Sequence, residues 1–387
     1  MSKSILFLRC NGRLVNKIKE EINIGKQTIS HFQLGVLFFV FMTGSSMINI
    51  PGPLIGKAGN GAWLSLLISG GIGFGMMSML LYLHRRFPDL TYVEYSRKLV
   101  GSVLAVILSV LPITFLFQMQ SAIVTDVGLF MISSMLRETP MYAFTFPVFV
   151  IAALTARAGI EVMVRMFTLI LLLTSFFIFI VLLLAIQDYD PSLLLPVLPK
   201  GIKPVLHGAY FTFGFPYVEI FLFGMLLPFV VKDPEKKVSI SRTMFISLSL
   251  NVFTLCTATV CAIMVFGPYA ADKPYVIFAM ARIVEFEEII QRIESIIGMS
   301  LILGSYMKTS VTLYVLSLFV SQLFQLKESG TIVMPLALFG FLTGLVTFDG
   351  STQWGGIVAT IHPVWAGAVF LMPLLLLTVV ALIRKRV

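Results

Sequence analysis

The fold of this chain is decided by two apolar stretches, FVFMTGSSMINIPGP at residues 39–53 and FTFGFPYVEIFLFGMLLPF at residues 211–229. Each belongs to a segment long enough to cross a membrane as a helix, and each contains Gly and Pro, which interrupt helical hydrogen bonding. Interrupted segments at corresponding positions of two halves are typical of membrane proteins built from inverted repeats. The two stretches therefore predict a pair of broken helices around one site.

Composition places the chain in a membrane. Of its 387 residues, 58% are hydrophobic and 12% are charged, and the mean hydropathy is +0.96, whereas an average soluble domain is about 25% charged. A β-barrel would show short alternating segments rather than long apolar runs. We predict an all-α polytopic membrane protein with ten spans, at residues 32–55, 62–84, 102–128, 141–157, 166–187, 207–231, 243–269, 294–324, 332–348 and 363–384.

The irregular spans recur at an interval of five. Spans 3 and 8 are long, spans 4 and 9 are short, and spans 1 and 6 are interrupted. An odd number of spans in each half makes the two repeats inverted. The pattern is similar to the five-plus-five architecture of amino acid transporters with the LeuT-like fold. It predicts repeats at about 31–187 and 207–384 of a membrane domain at 31–387. The alternative is that Gly and Pro are simply common in membrane helices.

Lys and Arg are concentrated on one side of the predicted membrane. The chain has 28 Lys and Arg against 19 Asp and Glu, a net charge of +9. With a cytoplasmic N-terminus, 20 of the 28 lie in inside segments, as the positive-inside rule requires. We therefore expect residues 1–30 to be a cytoplasmic tail, both termini to be cytoplasmic, and nucleic acid not to be a partner.

No sequence pattern indicates an enzyme. Glycine-rich phosphate or dinucleotide loops and nucleophile elbows do not occur. The four His residues, at 31, 84, 207 and 362, stand near predicted span ends without metal-ligand spacing. We expect no catalytic residue, no metal and no cofactor, and we interpret the histidines as interfacial.

The two interruptions predict a site made of backbone groups. A broken helix leaves N–H groups unpaired at one half-helix start and C=O groups unpaired at the other half-helix end. These groups can hold a carboxylate and an ammonium or other cation, respectively. The residues where such groups would be exposed are Gly44, Ser45, Ser46, Gly214 and Phe215.

Two charged residues fall inside predicted spans. Glu219 follows the span 6 break, and Lys308 is the only Lys or Arg in the middle of a span. Such residues are expensive in a membrane and are functional candidates. Glu219 would pair with a ligand amine or a proton, clamp the unwound segment, or be protonated and bonded to a carbonyl. Lys308 would replace a coupling ion, anchor an anion, or pair with a carboxylate such as Asp126 or Glu219.

Polar stripes at helical spacing mark two spans. Polar faces fit a cavity wall, but Ser, Thr and Gln also hold membrane helices together. Both interpretations remain open for span 3. The stripes are Ser305, Thr309 and Thr312 around Lys308 in span 8, and Thr114, Gln118, Ser121 and Thr125, flanked by Phe117, in span 3.

An amphipathic stretch, VIFAMARIVEFEEIIQRIE at residues 276–294, precedes span 8. We expect an outside helix that caps the entrance to the site. A solvated loop is the alternative.

The chain resembles the spore germination permease family, the B subunits of GerA-type nutrient receptors, which belong to the amino acid, polyamine and organocation transporter superfamily. The likeness runs from about residue 29 to the C-terminus and rests on the order and spacing of several stretches. These are ISHFQLGVLFFVFMTGSS at 29–46, AWLSLLISGGIG at 62–73, LTYVEYSRKLVG at 90–101, FGFPYVEIFLFGMLLPFV at 213–230, RIVEFEEIIQRIES at 282–295 and YMKTSVTLYV at 306–315.

The resemblance implies a LeuT-like subunit that senses amino acids, sugars or nucleosides in the inner membrane of the spore. It implies two partners, an A-type membrane subunit and a C-type lipoprotein subunit. The family's ligand pocket would fall at Gly44, Phe117, Ser121, Tyr217, Val218, Ser305 and Thr309 of this sequence.

Two departures from the family pattern lie near that pocket. Val218 stands where the family often has Gly, and early span 8, GMSLILGS, has no aromatic residue. The ligand would then differ from that of better-known members, or the chain would be an orphan paralogue. The rival functions are an amino acid and proton symporter and a scaffold that has lost its ligand.

Overall fold

The computed structural model describes residues 27–231, 239–283, 293–348 and 350–384, and the chain is mostly helical there. Eight of the described helical segments are long and apolar enough to cross a membrane. Span 4, at Tyr142–Ala158, is shorter, and span 6 is divided by its break. The ten predicted spans are therefore present, and the protein is a multi-pass membrane protein.

The first half begins with a divided span 1 and contains spans 1 to 5. Ser30 and Gln33 form a capping box at its start, which satisfies N–H groups of the first turn. The helices of this half are α1 (His31–Thr43), α2 (Ser46–Asn49), α3 (Pro51–Ala58), α4 (Ala62–Arg86), α5 (Tyr92–Val100), α6 (Ser102–Phe130), α7 (Tyr142–Ala158) and α8 (Ile160–Leu184).

The second half repeats this order with spans 6 to 10. Span 6 continues after its break as 3-10 turns at Tyr217–Met225 and Leu227–Phe229. The helices of this half are α9 (Lys203–Gly214), α10 (Ile240–Phe266), α11 (Val276–Ile283), α12 (Glu294–Leu323), α13 (Val333–Thr347), α14 (Ser351–Ala366) and α15 (Met372–Ile383).

The break in span 1 lies directly against span 8. A Cβ atom added to Gly44 would lie 2.9 Å from the carbonyl oxygen of Gly304, and one added to Gly304 would lie 2.5 Å from the carbonyl oxygen of Gly44. Only residues without a side chain allow backbones to approach this closely, as in other membrane helix pairs. Glycine at these two positions therefore brings the span 1 break into contact with α12.

The break in span 6 results from Phe215 and Pro216. Phe215 has an extended backbone, with φ −154° and ψ 111°, and ends α9, while Pro216 has no N–H to continue the helix. The end of span 6 is tied to the start of span 1, since Ile29 donates to the Phe229 carbonyl at 2.9 Å and accepts from the Val231 N–H at 2.9 Å. The two broken spans thus support each other.

Helix α5 was not predicted as an element of its own. Thr91 and Glu94 form a capping box at its start, and that T-x-x-E spacing was the signal in the sequence. Tyr92 is fully buried, and its ring centroid lies 4.6 Å from that of Phe221 in span 6. Helix α5 therefore packs beneath the second half of span 6.

Two further predictions concern the end of the chain and the outside helix. Span 10 begins at Ser351 rather than near 363, because α14, a π turn at Gly367–Leu371 and α15 form one continuous segment. Of the expected outside helix at 276–294, α11 covers the first part and is largely buried. Residues 284–292 lie outside the described residues.

Candidate functional site

A small cavity of about 30 Å³ lies where the two broken spans meet spans 3 and 10. We call it the central cavity. Both breaks contribute to its wall, as the paired interruptions in the sequence predict. Its lining consists of Ser45 and Asn49 of span 1, Met119, Ala122, Ile123 and Asp126 of span 3, Phe215 and Glu219 of span 6, and Trp354, Val358 and His362 of span 10.

Lys308 and Glu219 form a buried ion pair beside this cavity. Lys308 Nζ lies 2.6 Å from Glu219 Oε2, and both side chains are at most 1% exposed. The contact is ionic and is not aligned as a directed hydrogen bond. Nζ also lies 4.0 Å from the ring centroid of Phe215 and 5.2 Å from that of Phe41, and such aromatic faces attract a cation. Lys308 is therefore paired with Glu219 and not with Asp126, the two carboxylates that the sequence offered as partners.

Asp126 is held by neutral donors instead. The Asn49 side-chain amide donates to its Oδ2, and the Tyr275 hydroxyl donates to its Oδ1 at 3.1 Å. Asn49 belongs to α2, and Tyr275 immediately precedes α11. Asp126 therefore connects spans 1 and 3 to the start of α11.

Several buried polar atoms around the breaks have no hydrogen-bond partner within the described part of the chain. Buried polar groups are usually paired, so each exception needs an explanation. A polar ligand would supply the missing partners. The atoms are the Oγ atoms of Ser45, Ser46 and Ser305, Asn49 Oδ1 and His362 Nε2.

The polar stripe of span 3 faces span 9 and not the central cavity. Ser121 Oγ donates to the Gly340 carbonyl at 2.7 Å, and the ring of Phe117 lies 5.0 Å from that of Phe339. Thr125 follows the same face, because its Oγ1 donates to the Gly344 carbonyl at 3.4 Å. These contacts favour helix association over a cavity wall, the two interpretations that the sequence left open for this stripe.

The other predicted site residues of spans 3 and 6 also lie apart from the cavity wall. Gln118 is half-buried, and Thr114 is exposed with its hydroxyl bonded to the Leu111 carbonyl. Tyr217 and Val218 are fully buried. A Cβ added to Gly73 of span 2 would lie 3.2 Å from Tyr217 Cδ1, so the tyrosine packs on span 2.

The span 8 stripe is buried within the bundle. Ser305, Thr309 and Thr312 are all 0% exposed. Thr309 Oγ1 donates to the Ser305 carbonyl at 2.8 Å, and Thr312 Oγ1 donates to the Lys308 carbonyl at 2.9 Å. Both threonine hydroxyls donate to carbonyls of their own helix. Ser305 Oγ is the hydroxyl of this stripe that has no partner among the described residues.

Seven residues of the cavity wall were not predicted from the sequence, and three of them, Asn49, Trp354 and His362, have polar or aromatic side chains that could contact a ligand. Asn49 lies between the two interruptions of span 1, and no motif or charge in the sequence marks it as a site residue. Trp354 lies before residue 363, where the sequence analysis begins span 10, whereas in the structure it lies within α14. The interfacial assignment of His362 is wrong, since its ring is 8% exposed and packs 4.9 Å from that of Phe115.

A much larger cavity, about 1130 Å³, lies between spans 1, 5, 7 and 8. Its walls include lipid-facing side chains such as Phe253 and Leu172, which are 67% and 66% exposed. We interpret it as an apolar groove on the lipid side of the bundle. Among the described residues, no cluster of three or more His, Cys, Asp or Glu side chains could hold a metal ion.

Relatives of this chain are proteins of spore germination. Over 319 residues it is 26% identical to spore germination protein KB of Bacillus subtilis (strain 168). This alignment covers 81% of this chain and 83% of the relative. Over 356 residues it is 22% identical to spore germination protein XB of Bacillus anthracis, covering 91% and 97%.

Solved structures of transporters share its fold. The TM-score is 0.65 to a Na⁺-coupled sialic acid symporter, with 11% identity and coverage of 89% of this chain and 79% of the symporter. It is 0.63 to MhsT, solved in complex with L-phenylalanine, with 13% identity and coverage of 92% and 99%. The predicted LeuT-like fold is therefore confirmed.

These matches point to a membrane permease, receptor or transporter rather than to an enzyme. The model of the spore germination protein family matches residues 28–348. That range includes both breaks, the Lys308–Glu219 pair and Asp126, and ends before span 10. This chain belongs to the spore germination protein family.

Proposed function

We propose that this chain is the nutrient-binding membrane subunit of a spore germinant receptor. It would bind a small molecule, such as an amino acid, in the central cavity and signal to an A-type membrane subunit and a C-type lipoprotein subunit. It would lie in the inner membrane of the spore, with both termini cytoplasmic. The observation that carries the proposal is a cavity walled by residues of both breaks and lined by three buried polar atoms that have no partner among the described residues, Ser45 Oγ, Asn49 Oδ1 and His362 Nε2.

The size of the cavity supports a mechanism of signalling. A volume of about 30 Å³ has room for roughly one water molecule. A nutrient would therefore require a second conformation in which the two broken spans are further apart. A ligand shifts such an equilibrium only through its higher affinity for one state. The open state would be the one that partner subunits read.

The experiment is deletion of the gene, followed by measurement of nutrient-triggered germination and of uptake of the same nutrients by growing cells. We expect germination by one nutrient class to be lost while uptake is normal. Normal germination with reduced uptake would contradict the receptor role.

A cavity-filling variant would link the phenotype to the site. Ala122→Phe should abolish the response, because Ala122 lines the central cavity. Leu172→Phe is the matched control, since Leu172 is 66% exposed on the lipid face. Gly44 is a poorer probe, because any side chain there would also disturb its backbone contact with Gly304. Equal responses of the two Phe variants would remove the central cavity from the proposal.

The second candidate function is a secondary transporter, an amino acid and proton symporter. It is favoured by the buried Lys308–Glu219 pair beside the span 6 break, because buried ionisable pairs occur on proton pathways. Uptake that is driven by a pH gradient and abolished by Glu219→Gln would support this function.

A further inference from the structure

The central cavity has two buried carboxylates, and within the residues that the structure describes, one of them has a countercharge and the other has none. Glu219 and Lys308 cancel each other at 2.6 Å. Asp126 is 1% exposed, and among the described residues its bonded partners are the neutral groups of Asn49 and Tyr275. A buried charge without a counterion is costly in a membrane protein. A positively charged ligand at the Asp126 end of the cavity would offset this cost.

The hydrogen bonds to Asp126 leave it able to accept more. Each oxygen accepts one bond, from Asn49 or from Tyr275, whereas an ionised carboxylate offers about four lone-pair sites. The two donors come from different elements and fix the orientation of the carboxylate. Asp126 therefore lines the cavity in a fixed orientation and can accept further hydrogen bonds.

The neighbouring unpartnered atoms match an ammonium group. Ser45 Oγ and Asn49 Oδ1 line the same cavity, are more than nine-tenths buried and have no partner. An ammonium group has three donors and no acceptor, so a carboxylate with two further oxygens suits it. Trp354 and Phe215 add aromatic surface to the same wall, and aromatic faces attract organic cations.

We infer that the Asp126 end of the central cavity is an ammonium subsite, and that the ligand of this chain is a small primary amine, such as an amino acid, rather than a sugar or nucleoside. The inference rests on the proposed function in one respect, namely that the central cavity receives the nutrient. The amine would bind at Asp126 and not at Glu219, because Lys308 already occupies Glu219.

Binding to the full chain in lipid nanodiscs tests the subsite. The probes are a panel of amino acids and simple amines, the same compounds with an acetylated nitrogen, and uncharged sugars and nucleosides. We expect the amines to bind and their acetylated forms not to bind. Asp126→Asn keeps the size of the side chain and should weaken amine binding about 10- to 100-fold.

Two further variants control for folding and for charge. Glu161→Gln makes the same chemical change at the exposed Glu161–Arg165 pair and should leave binding unaltered. Asp126→Glu keeps the charge and should retain more affinity than Asp126→Asn, which separates a charge effect from a packing defect. Thermal melting in the same nanodiscs verifies that each variant is folded.

Several outcomes would overturn the subsite. They are equal binding of acetylated and free amines, full affinity in Asp126→Asn, and failure of every amine to bind the folded chain. Stabilisation by NaCl over choline chloride, without any effect of amines, would also overturn it and assign Asp126 to an inorganic cation.

The two proposals fail in different experiments. If amines bind through Asp126 but spores of the deletion strain germinate normally, the subsite stands and the receptor role fails. If the deletion abolishes germination but amines do not bind, the receptor role stands and the subsite is overturned.

Discussion

Glu219 and Asp126 are equally buried, at 1% exposure each, and line the same cavity, yet they are neutralised in different ways. Glu219 meets the ammonium of Lys308, which the protein itself provides. Asp126 meets only dipoles of Asn49 and Tyr275 among the described residues. The span 6 side of the cavity is thus complete in itself, whereas the span 3 side can still gain a partner.

The largest loss of stability is expected at the Lys308–Glu219 pair, where the protein itself supplies both charges. Lys308→Ala leaves Glu219 buried without its counterion, and removing one partner of a buried pair costs about 3–5 kcal/mol. We expect a large fall in the melting temperature of the purified protein. The double variant Lys308→Met with Glu219→Gln should recover most of this loss, because it removes both charges together.

The double variant also separates stability from response. If it is stable but spores that carry it no longer respond to nutrient, the ion pair has a role in switching or proton transfer. Melting of Lys308→Ala at the wild-type temperature would show that Glu219 does not need Lys308, and the contrast with Asp126 would disappear.

A second variant disturbs the contact between span 8 and the span 1 break without altering any charge. Gly304 lies one helical turn before Lys308 on span 8, and a Cβ there would lie 2.5 Å from the Gly44 backbone. Gly304→Ala should therefore push the span 1 break away from span 8 and cost about 1–3 kcal/mol by overpacking. Melting temperature and nutrient response are the measurements.

Gly71→Ala is the matched control, because a Cβ at Gly71 of span 2 has no other atom within 4 Å. We expect it to melt at or slightly above the wild-type temperature, since Ala favours a helix. Identical behaviour of Gly71→Ala and Gly304→Ala would show that the backbone contact is unimportant.

The Asp126 side should respond more weakly to loss of one donor. Tyr275→Phe removes the hydroxyl that donates to Asp126 and keeps the ring, which packs 4.9 Å from that of Phe130. We expect a loss of about 1 kcal/mol, the usual net contribution of a hydrogen bond. Tyr269→Phe, at a residue that is 75% exposed, should have no effect.

A double variant tests whether the Tyr275 hydroxyl acts through Asp126. In the Asp126→Asn background, Tyr275→Phe should cost less than in the wild type, because the charged acceptor is gone. Equal costs in both backgrounds would show that the hydroxyl acts elsewhere.

Much of the fold could be predicted from the sequence, since it depends on local signals. Apolar segment length gave the ten spans, and Gly44 and Gly214 with Pro216 marked the two breaks. The pairing of Lys308 with Glu219 was one of the alternatives, because few charges lie within the membrane and each needs a partner.

The walls of the cavity could not be predicted in the same way. Helical spacing shows that Ser121 and Thr125 share a face, but the neighbour of that face depends on how span 3 is rotated in the bundle. His362 was misplaced because it directly precedes the predicted span at 363–384, whereas in the structure it lies, with Pro363, inside α14 of a longer span 10. Membrane helices tolerate such internal prolines when neighbouring groups compensate.

The smallest effect is expected at Ser121, which tests the rotation of span 3. Its hydroxyl donates to the Gly340 carbonyl of span 9 at 2.7 Å. Hydrogen bonds between membrane helices contribute about 0.6 kcal/mol on average, so Ser121→Ala should lower stability slightly and leave the nutrient response unchanged. A weakened response with an unchanged melting temperature would instead mean that Ser121 faces the ligand. The family's pocket would then extend to span 9, and Asp126 would be one of two polar positions on span 3 that serve binding.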